Sequence, residues 1–320
     1  MRFLTKIDPM VRLIVVAMLL ATALPVTGEA VAFARGVSDA AVFLVFFFYG
    51  LRLSRGEVRA GLGNHRLLVP LVLWVFGATA LAGWIAWQAT LPFLPSAMAL
   101  GFVYLGVLPS TVQSATVYCS LAKGNVASSV VAAALLNIVG VFVSVPLFSL
   151  LAGGGGAAFH GATLLKVLTV LLLPFVLGQA LQAPLRGWAA RHRPLMGRLD
   201  RMAIGIAIYV AFSGAVSQGF WHAVNAQGGG VVLGVTGLLL VVGYGGAWLL
   251  GGALSVPHGD RVSMLFSGAQ KSIAMGAPLA TVLFPAGVAG TVLLPLLCYH
   301  LAQMIVAAPI AARLARGAEA

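Results

Sequence analysis

Acidic residues are scarce in this sequence, seven in 320 positions. Charged residues of both signs reach only 8%, against about 25% in soluble domains. With 61% hydrophobic residues and a mean hydropathy of +1.03, a soluble globular fold is excluded. Regular polar–apolar alternation is missing too, which excludes a membrane β-barrel. Cysteine is reduced to Cys119 and Cys298, both in apolar runs, without a Cys-x-x-Cys pair or a Cys/His cluster. That excludes a disulfide framework and a zinc site, and leaves the two thiols as small buried hydrophobes.

Enzymatic chemistry lacks its groups as well. The acids Asp8, Glu29, Asp39, Glu57, Asp200, Asp260 and Glu319 read as helix ends and loops, so no aspartyl pair forms at membrane depth. No His-Glu-x-x-His stretch occurs. The Gly-x-Ser-Gly pattern of a membrane serine protease fails, because Ala211 and Leu265 stand two before Ser213 and Ser267. The sequence therefore points to no catalytic residue, no metal ligand set and no cofactor.

What is present is a succession of apolar runs near the roughly 20 residues that span a bilayer as a helix. Ten are expected, near Pro9–Val26, Ser38–Leu53, Leu67–Gln88, Pro95–Leu121, Val126–Leu151, Ala162–Leu181, Met202–Phe220, Gly230–Leu254, Val262–Phe284 and Ala286–Leu314. The fold class is thus all-α integral membrane. The first run follows MRFLTKIDP and is long enough to be a retained span in place of a cleaved signal. Gly153 to Gly156 read as a flexible turn between the fifth and sixth runs, and Asn125 as the cap of the fifth.

The net charge of +12 could suggest nucleic acid, but the basic residues form no patch. Arg2 and Lys6, then Arg52, Arg55, Arg59 and Arg66, then Lys123, then Arg186, Arg191, Arg193, Arg198 and Arg201, then Arg261, Arg313 and Arg316 fall on one side of a ten-span chain. The other side keeps little beyond Arg35. By the positive-inside rule both termini are expected in the cytoplasm, with these arginines at lipid head groups of the bilayer.

Ten spans divide into halves of five, 1–151 and 162–314, which enter the membrane from opposite sides. Such inverted repeats mark secondary transporters. The fourth and ninth spans should then correspond, and each carries Ser-x-x-Gln in mid-segment: STVQSA from Ser110, SGAQKS from Ser267. Pro109 and Gly268 beside these stretches release backbone groups that a membrane tolerates only against protein or a wet cavity. Both spans are expected to be broken helices, offering carbonyls, amides, Ser and Gln side chains and half-helix dipoles to a solute or ion near the midplane.

Four stretches, FFFYGLRLSRGEV, LPSTVQSATVYCSLAKGNVA, SGAQKSIAMGAPLA and CYHLAQMI, resemble the bile acid:sodium symporter superfamily, solute carrier family 10. The branch they are similar to contains the seventh human member and its bacterial relatives. The resemblance implies a panel of spans one, two, six and seven and a core of spans three, four, five, eight, nine and ten. Spans four and nine would be broken and crossing, with the solute bound at the cleft beside the crossing. It also implies a multi-pass protein of a bacterial plasma (inner) membrane.

One departure bears on mechanism. Where the sodium-coupled branch is similar to Glu-x-Gly-x-Gln-Asn-Ser, this chain has Phe266 to Ser272, with Phe266 for the carboxylate and Lys271 for the amide. In span four, Ala115 follows Ser114 where that branch has Asn. Sodium or a proton is the coupling ion to be decided, and a sodium site built this way should be poor. Lys271 can be a fixed cation in the lost sodium site, a proton carrier or the partner of an anionic solute, or it can snorkel to the interface.

The expected solute and ion contacts are Ser110, Thr111, Gln113, Ser114, Ser267, Gln270, Lys271 and Ser272, with Asn137, His300 and Gln303 as further cavity residues and Ser213, Ser217 and Gln218 lining the panel. The expected function is alternating-access transport of a small-molecule solute, an organic anion. The alternative is a non-transporting membrane regulator of ion or lipid handling on the same fold. A dry crossing with Lys271 packed on carbonyls would favour the regulator, and an open cleft reaching Ser110, Gln113 and Gln270 would favour transport.

Overall fold

The computed structural model describes residues 8–52, 56, 65–153, 165–223 and 226–317. Among them the regular elements are helices and no strand occurs. In chain order they are α1 (Pro9–Ala23), α2 (Ala30–Arg52), α3 (His65–Leu73), α4 (Thr79–Thr90), α5 (Ser96–Val107), α6 (Val112–Leu121), α7 (Val126–Ala152) and α8 (Leu173–Ala180). There follow α9 (Gln182–Arg191), α10 (Arg193–Ser217), α11 (Phe220–Ala223), α12 (Ala226–Ala253), α13 (His258–Ala269), α14 (Ile273–Leu283) and α15 (Ala286–Gly317). π-helical turns at Trp74–Ala78 and Leu168–Leu172 join α3 to α4 and precede α8.

Among the described residues, six helices are long and apolar enough to cross a membrane, or eight spans if each of two bent pairs is one. The chain is a multi-pass membrane protein. One bent pair is α5 with α6, turning by 61°; the other joins Leu165–Ala180 to α9 at 89°. Arg2, Lys6, Arg55, Arg59, Glu57, Glu319 and most of the four-glycine run lie outside the described residues.

The expected breaks in spans four and nine are present. α5 ends at Val107, and Leu108 turns extended with ψ 145°. That is the conformation a following proline imposes, and Pro109 itself has no amide to continue the ladder. In span nine α13 ends at Ala269, Gln270 is extended, and the helix resumes at Ile273.

Two expectations are corrected. The second span begins at Ala30, well before Ser38, which places Asp39 inside α2, and Asp200 lies inside α10. Each acid is accommodated by a partner cation: Asp39 meets Lys166 at 3.0 Å and Asp200 meets Arg52. The basic stretch from Arg186 to Arg201, which falls between the expected sixth and seventh spans, is helical in α9 and the start of α10, with Pro194 at a position where a missing amide costs no hydrogen bond.

The described contacts divide the chain into two compact units. The first comprises Met1–Leu53, Ala157–Asn225 and Ala274–Leu294. Here Asp8 caps α1 by accepting from the Met10 amide at 2.7 Å, ahead of Pro9 in the first turn. α2 and α8 meet backbone to backbone: a Cβ on Gly50 would lie 2.1 Å from the Phe175 oxygen, and one on Gly178 2.2 Å from the Phe47 oxygen. Small residues permit this close approach between membrane helices.

The second unit comprises Ser54–Gly156, Ala226–Ile273 and Pro295–Ala320. Leu67, Leu68, Leu71 and Val75 of the α3 stretch bury themselves with Ala132 and Leu136 of α7 and Met264 of α13. α4 lies on α5 through Gly83, where a Cβ would stand 2.4 Å from the Phe102 oxygen, and Gly106, where it would stand 2.8 Å from the Thr79 oxygen. This contact brings Thr79 to the end of α5. Asn125 caps α7 as expected, accepting from the Ser128 amide at 3.2 Å.

Candidate functional site

A broken helix inside a membrane must find partners for the carbonyls it frees, since water is absent. Five consecutive carbonyls at the α5 break all have them, in four cases from polar side chains of the same unit. Val107 accepts from Ser144 Oγ at 2.8 Å, Ser110 from Asn137 Nδ2 at 2.9 Å, and Pro109 from the Ser272 amide at 2.9 Å. The remaining two, Gly106 and Leu108, accept from Lys271 Nζ, each at 2.8 Å.

The third proton of the Lys271 ammonium goes to Thr79 Oγ1, again at 2.8 Å. An ammonium has three donors and no acceptor, so the cage is complete. The π turn before Thr79 prepares it. Thr79's amide bonds back to Trp74 O, and its hydroxyl proton goes to Val75 O at 2.6 Å, which leaves the oxygen lone pairs facing Lys271. With 3% of its surface exposed, Lys271 does not snorkel. The adjoining cavity, of about 20 Å³, is lined by Thr79, Gly106, Gly243 and Tyr299 among others; it has room for about one water.

The α13 break is held in the same manner. Gln303 clamps the Lys271 peptide from both sides, its Oε1 accepting from the amide at 2.9 Å and its Nε2 donating to the carbonyl at 3.2 Å. The Tyr299 hydroxyl donates to Ala269 O at 2.6 Å. The Gln303 amide nitrogen also lies 2.8 Å from His300 Nδ1. Of the residues expected to line a cavity, Asn137, Gln303 and through it His300 are thus engaged with freed backbone.

A second cluster ties the two breaks together. Gln270 Oε1 accepts from Thr111 Oγ1 at 2.8 Å and from Ser114 Oγ, while Gln270 Nε2 is buried facing the Tyr244 hydroxyl, without a hydrogen bond of good geometry among the described residues. Thr111 and Ser114 are half-buried and Gln270 is fully buried. Ser110 is buried, its Oγ likewise unpartnered among the described residues, and Ser267 meets Ser129 Oγ at 3.5 Å. Ser272 is buried and engages the break through its backbone. Gln113 is exposed on α6, apart from this cluster.

The two Ser-x-x-Gln tetrads do not hold equivalent places in their breaks. Ser110 lies in the break and Ser267 on the helix before it; Gln113 lies on the helix after the break and Gln270 within it. Phe266, where the sodium-coupled branch has a carboxylate, is fully buried between the rings of Tyr118 and Tyr244, with centroids at 5.9 Å and 6.2 Å.

Sequence reasoning missed Thr79, Tyr299 and the group around Asp260. Asp260 Oδ1, in the first turn of α13, accepts from Asn125 Nδ2 at 2.8 Å and Ser128 Oγ at 2.7 Å, and Ser263 Oγ donates to Asn125 O at 2.6 Å. The acidic first turn was a visible signal. A lone threonine in WVFGATALAG carries none.

Residues 8–316 match the sequence profile of the SBF-like CPA transporter family. Over 320 residues the chain is 34% identical to YfeH of Escherichia coli K12, which bears a provisional symporter name, covering all of this chain and 96% of that protein. It is 34% identical over 307 residues to an uncharacterized protein of Pseudomonas aeruginosa PAO1, covering 95% and 91% of the two chains. It is 23% identical over 278 residues to mouse sodium/bile acid cotransporter 7, covering 84% and 80%.

Proposed function

Because the chain belongs to the SBF-like CPA transporter family, we propose that it is a secondary-active transporter that moves a small organic anion by alternating access, with Lys271 as a built-in cation at the crossing. The family match over residues 8–316 carries the transport reading, and the Lys271 cage of Thr79 Oγ1, Gly106 O and Leu108 O bears on its coupling ion. Carbonyl and hydroxyl oxygens at a helix break are the donor set for a hard monovalent cation, and an ammonium already fills it. The carboxylate that would strengthen such a site is replaced by Phe266, so transport does not use sodium at this position. The Gln270 amide, which makes no well-formed hydrogen bond among the described residues and has the Tyr244 hydroxyl beside it, offers a donor to the oxygen of a bound anion next to the Thr111 and Ser114 hydroxyls.

In this reading the halves 1–151 and 162–314 are inverted repeats, spans one, two, six and seven move as a panel against the core, and both termini are cytoplasmic in a bacterial inner membrane. The deciding experiment reconstitutes the protein in proteoliposomes, with solutes first found by thermal-shift screening, and measures uptake under a sodium gradient, a proton gradient or neither. Uptake of an anion without sodium stimulation supports the reading.

A second reading rests on the same cage. The enclosure of Lys271 against carbonyls, with space beside it for about one water, favours a non-transporting regulator on the same fold. Purified protein that binds no screened solute and passes none in liposomes would support that alternative.

A further inference from the structure

The first unit contains a cavity that the Lys271 cage does not explain. Its volume is about 200 Å³, room for several waters at roughly 30 Å³ each but below the roughly 300–1,000 Å³ of pockets for drug-sized ligands. It lies where the Val26–Val31 turn meets the C-terminal end of α10, and Arg35, Ser213, Gln218 and Gly287 line it.

Three features of the lining point the same way. Arg35 is the charged residue among its described lining residues, and no acid joins it. Ser213 is 1% exposed, and its hydroxyl has no hydrogen-bond partner among the described residues, an arrangement that persists when something in the cavity completes it. The Gln218 amide lies directly on Gly287, where a Cβ would stand 1.6 Å from Gln218 Nε2. A side chain at position 287 would push that amide out of place. The guanidinium has donors alone, the Ser213 hydroxyl and the Gln218 amide can donate beside it, and charge-assisted bonds from arginine to oxyanions are the strongest of this kind.

We infer that this cavity is a binding site for a small oxyanion, a carboxylate, phosphate or sulfate, held by Arg35, Ser213 and Gln218. The group can belong to a free anion or to a phospholipid head. The site stands independently of the transport reading, because binding here requires neither a gradient nor movement.

The test is thermal unfolding of the purified full chain in detergent with sodium sulfate, phosphate or acetate, against sodium chloride at equal ionic strength. Arg35→Gln and Ser213→Val serve as controls, because sulfate and phosphate stabilise proteins generally by exclusion from their surface and that part survives in the variants. Binding to the folded state adds an increment of a few degrees in Tm by mass action; it is expected in the unaltered protein, reduced in Ser213→Val and lost in Arg35→Gln. Gly287→Ala, which forces the Gln218 amide from its place, should weaken it too and stands in if Arg35→Gln does not fold. A parallel arm compares nanodiscs of phosphatidylglycerol with nanodiscs of phosphatidylcholine. An Arg35-dependent increment confined to phosphatidylglycerol assigns the oxyanion to a lipid head. Equal responses of the unaltered protein and all variants in every arm would mean that the cavity holds only water, and would overturn the inference.

Discussion

The ammonium nitrogen of Lys271 lies 2.8 Å from the carbonyl oxygen of Leu108, the residue at which α5 gives way to its break. One side chain from the second break therefore satisfies backbone of the first. Lys271→Met keeps the length and apolar stem but leaves Leu108 O without a donor in a buried place and Gly106 O with only the longer contact from Thr79 Oγ1 at 3.1 Å. At about 1–3 kcal/mol for each buried group left unsatisfied, the variant should lose roughly 3 kcal/mol. Thermal unfolding in detergent measures it, and an unchanged Tm would show that the cage does not hold the two breaks together.

Thr79 should matter for the same reason. Thr79→Val removes the hydroxyl that takes the third ammonium proton and is expected to cost about 1–2 kcal/mol, while Thr79→Ser stays close to the unaltered protein. The Lys271→Met/Thr79→Val double variant should be less destabilised than the sum, because contacting residues couple by roughly 0.5–3 kcal/mol. Strict additivity in unfolding measurements would argue against the contact.

How legible this was in the sequence differs from residue to residue. Pro109 announced the first break because proline dictates backbone geometry by itself, and Lys271 announced itself as an ammonium in an apolar run. Its cage was invisible: two of its three acceptors are carbonyls, which any residue carries, and the third depends on a π turn and on the contact through Gly83 and Gly106. The Ser-x-x-Gln match directed attention to the right spans, yet it aligned Gln113, which is exposed, with Gln270, which is buried between the breaks. Local pattern finds the interrupted helix; the register between the two breaks is set by tertiary hydrogen bonds such as that from the Ser272 amide to Pro109 O. Asp39 and Asp200 were misplaced for a related reason, because a paired carboxylate can sit inside a helix where a lone one belongs at its end.

Gln270 and Gln113 can be separated by experiment. Gln270→Leu removes the acceptor for Thr111 and Ser114 and the amide donor, so solute binding should be lost at a cost of about 1 kcal/mol in stability, since the two hydroxyls can pair with each other. Gln113→Leu, on an exposed position, should change stability by less than about 0.5 kcal/mol. Calorimetric titration with a solute found by screening reads both. Normal binding by Gln270→Leu would remove this cluster from the solute site.

Orientation in the membrane can be read by labelling. Thr27 and Arg191 are both exposed, one in the turn between α1 and α2 and the other at the end of α9. In a background lacking Cys119 and Cys298, Thr27→Cys should react with an impermeant thiol reagent on intact cells, and Arg191→Cys only after permeabilisation. Labelling of both from outside would contradict cytoplasmic termini.

Sodium dependence is the sharpest test of the Lys271 cage. A sodium ion added near the ammonium would place two cations a few ångströms apart; at an effective dielectric of about 20 a pair 4 Å apart repels by about 4 kcal/mol. Uptake by the unaltered protein should therefore be the same with and without a sodium gradient. Lys271→Asn alone should remain sodium-independent, because no carboxylate is present to hold the ion. Phe266→Glu with Lys271→Asn supplies both groups and is expected to gain sodium stimulation. It should also be less stable, since position 266 is enclosed by the Tyr118 and Tyr244 rings, and a carboxylate buried there is costly until a cation joins it. Proteoliposome uptake and sodium-dependent thermal shifts read the two effects separately. Strong sodium stimulation of the unaltered protein would mean that hydroxyls and carbonyls elsewhere in the breaks hold the ion, with Lys271 serving the backbone alone.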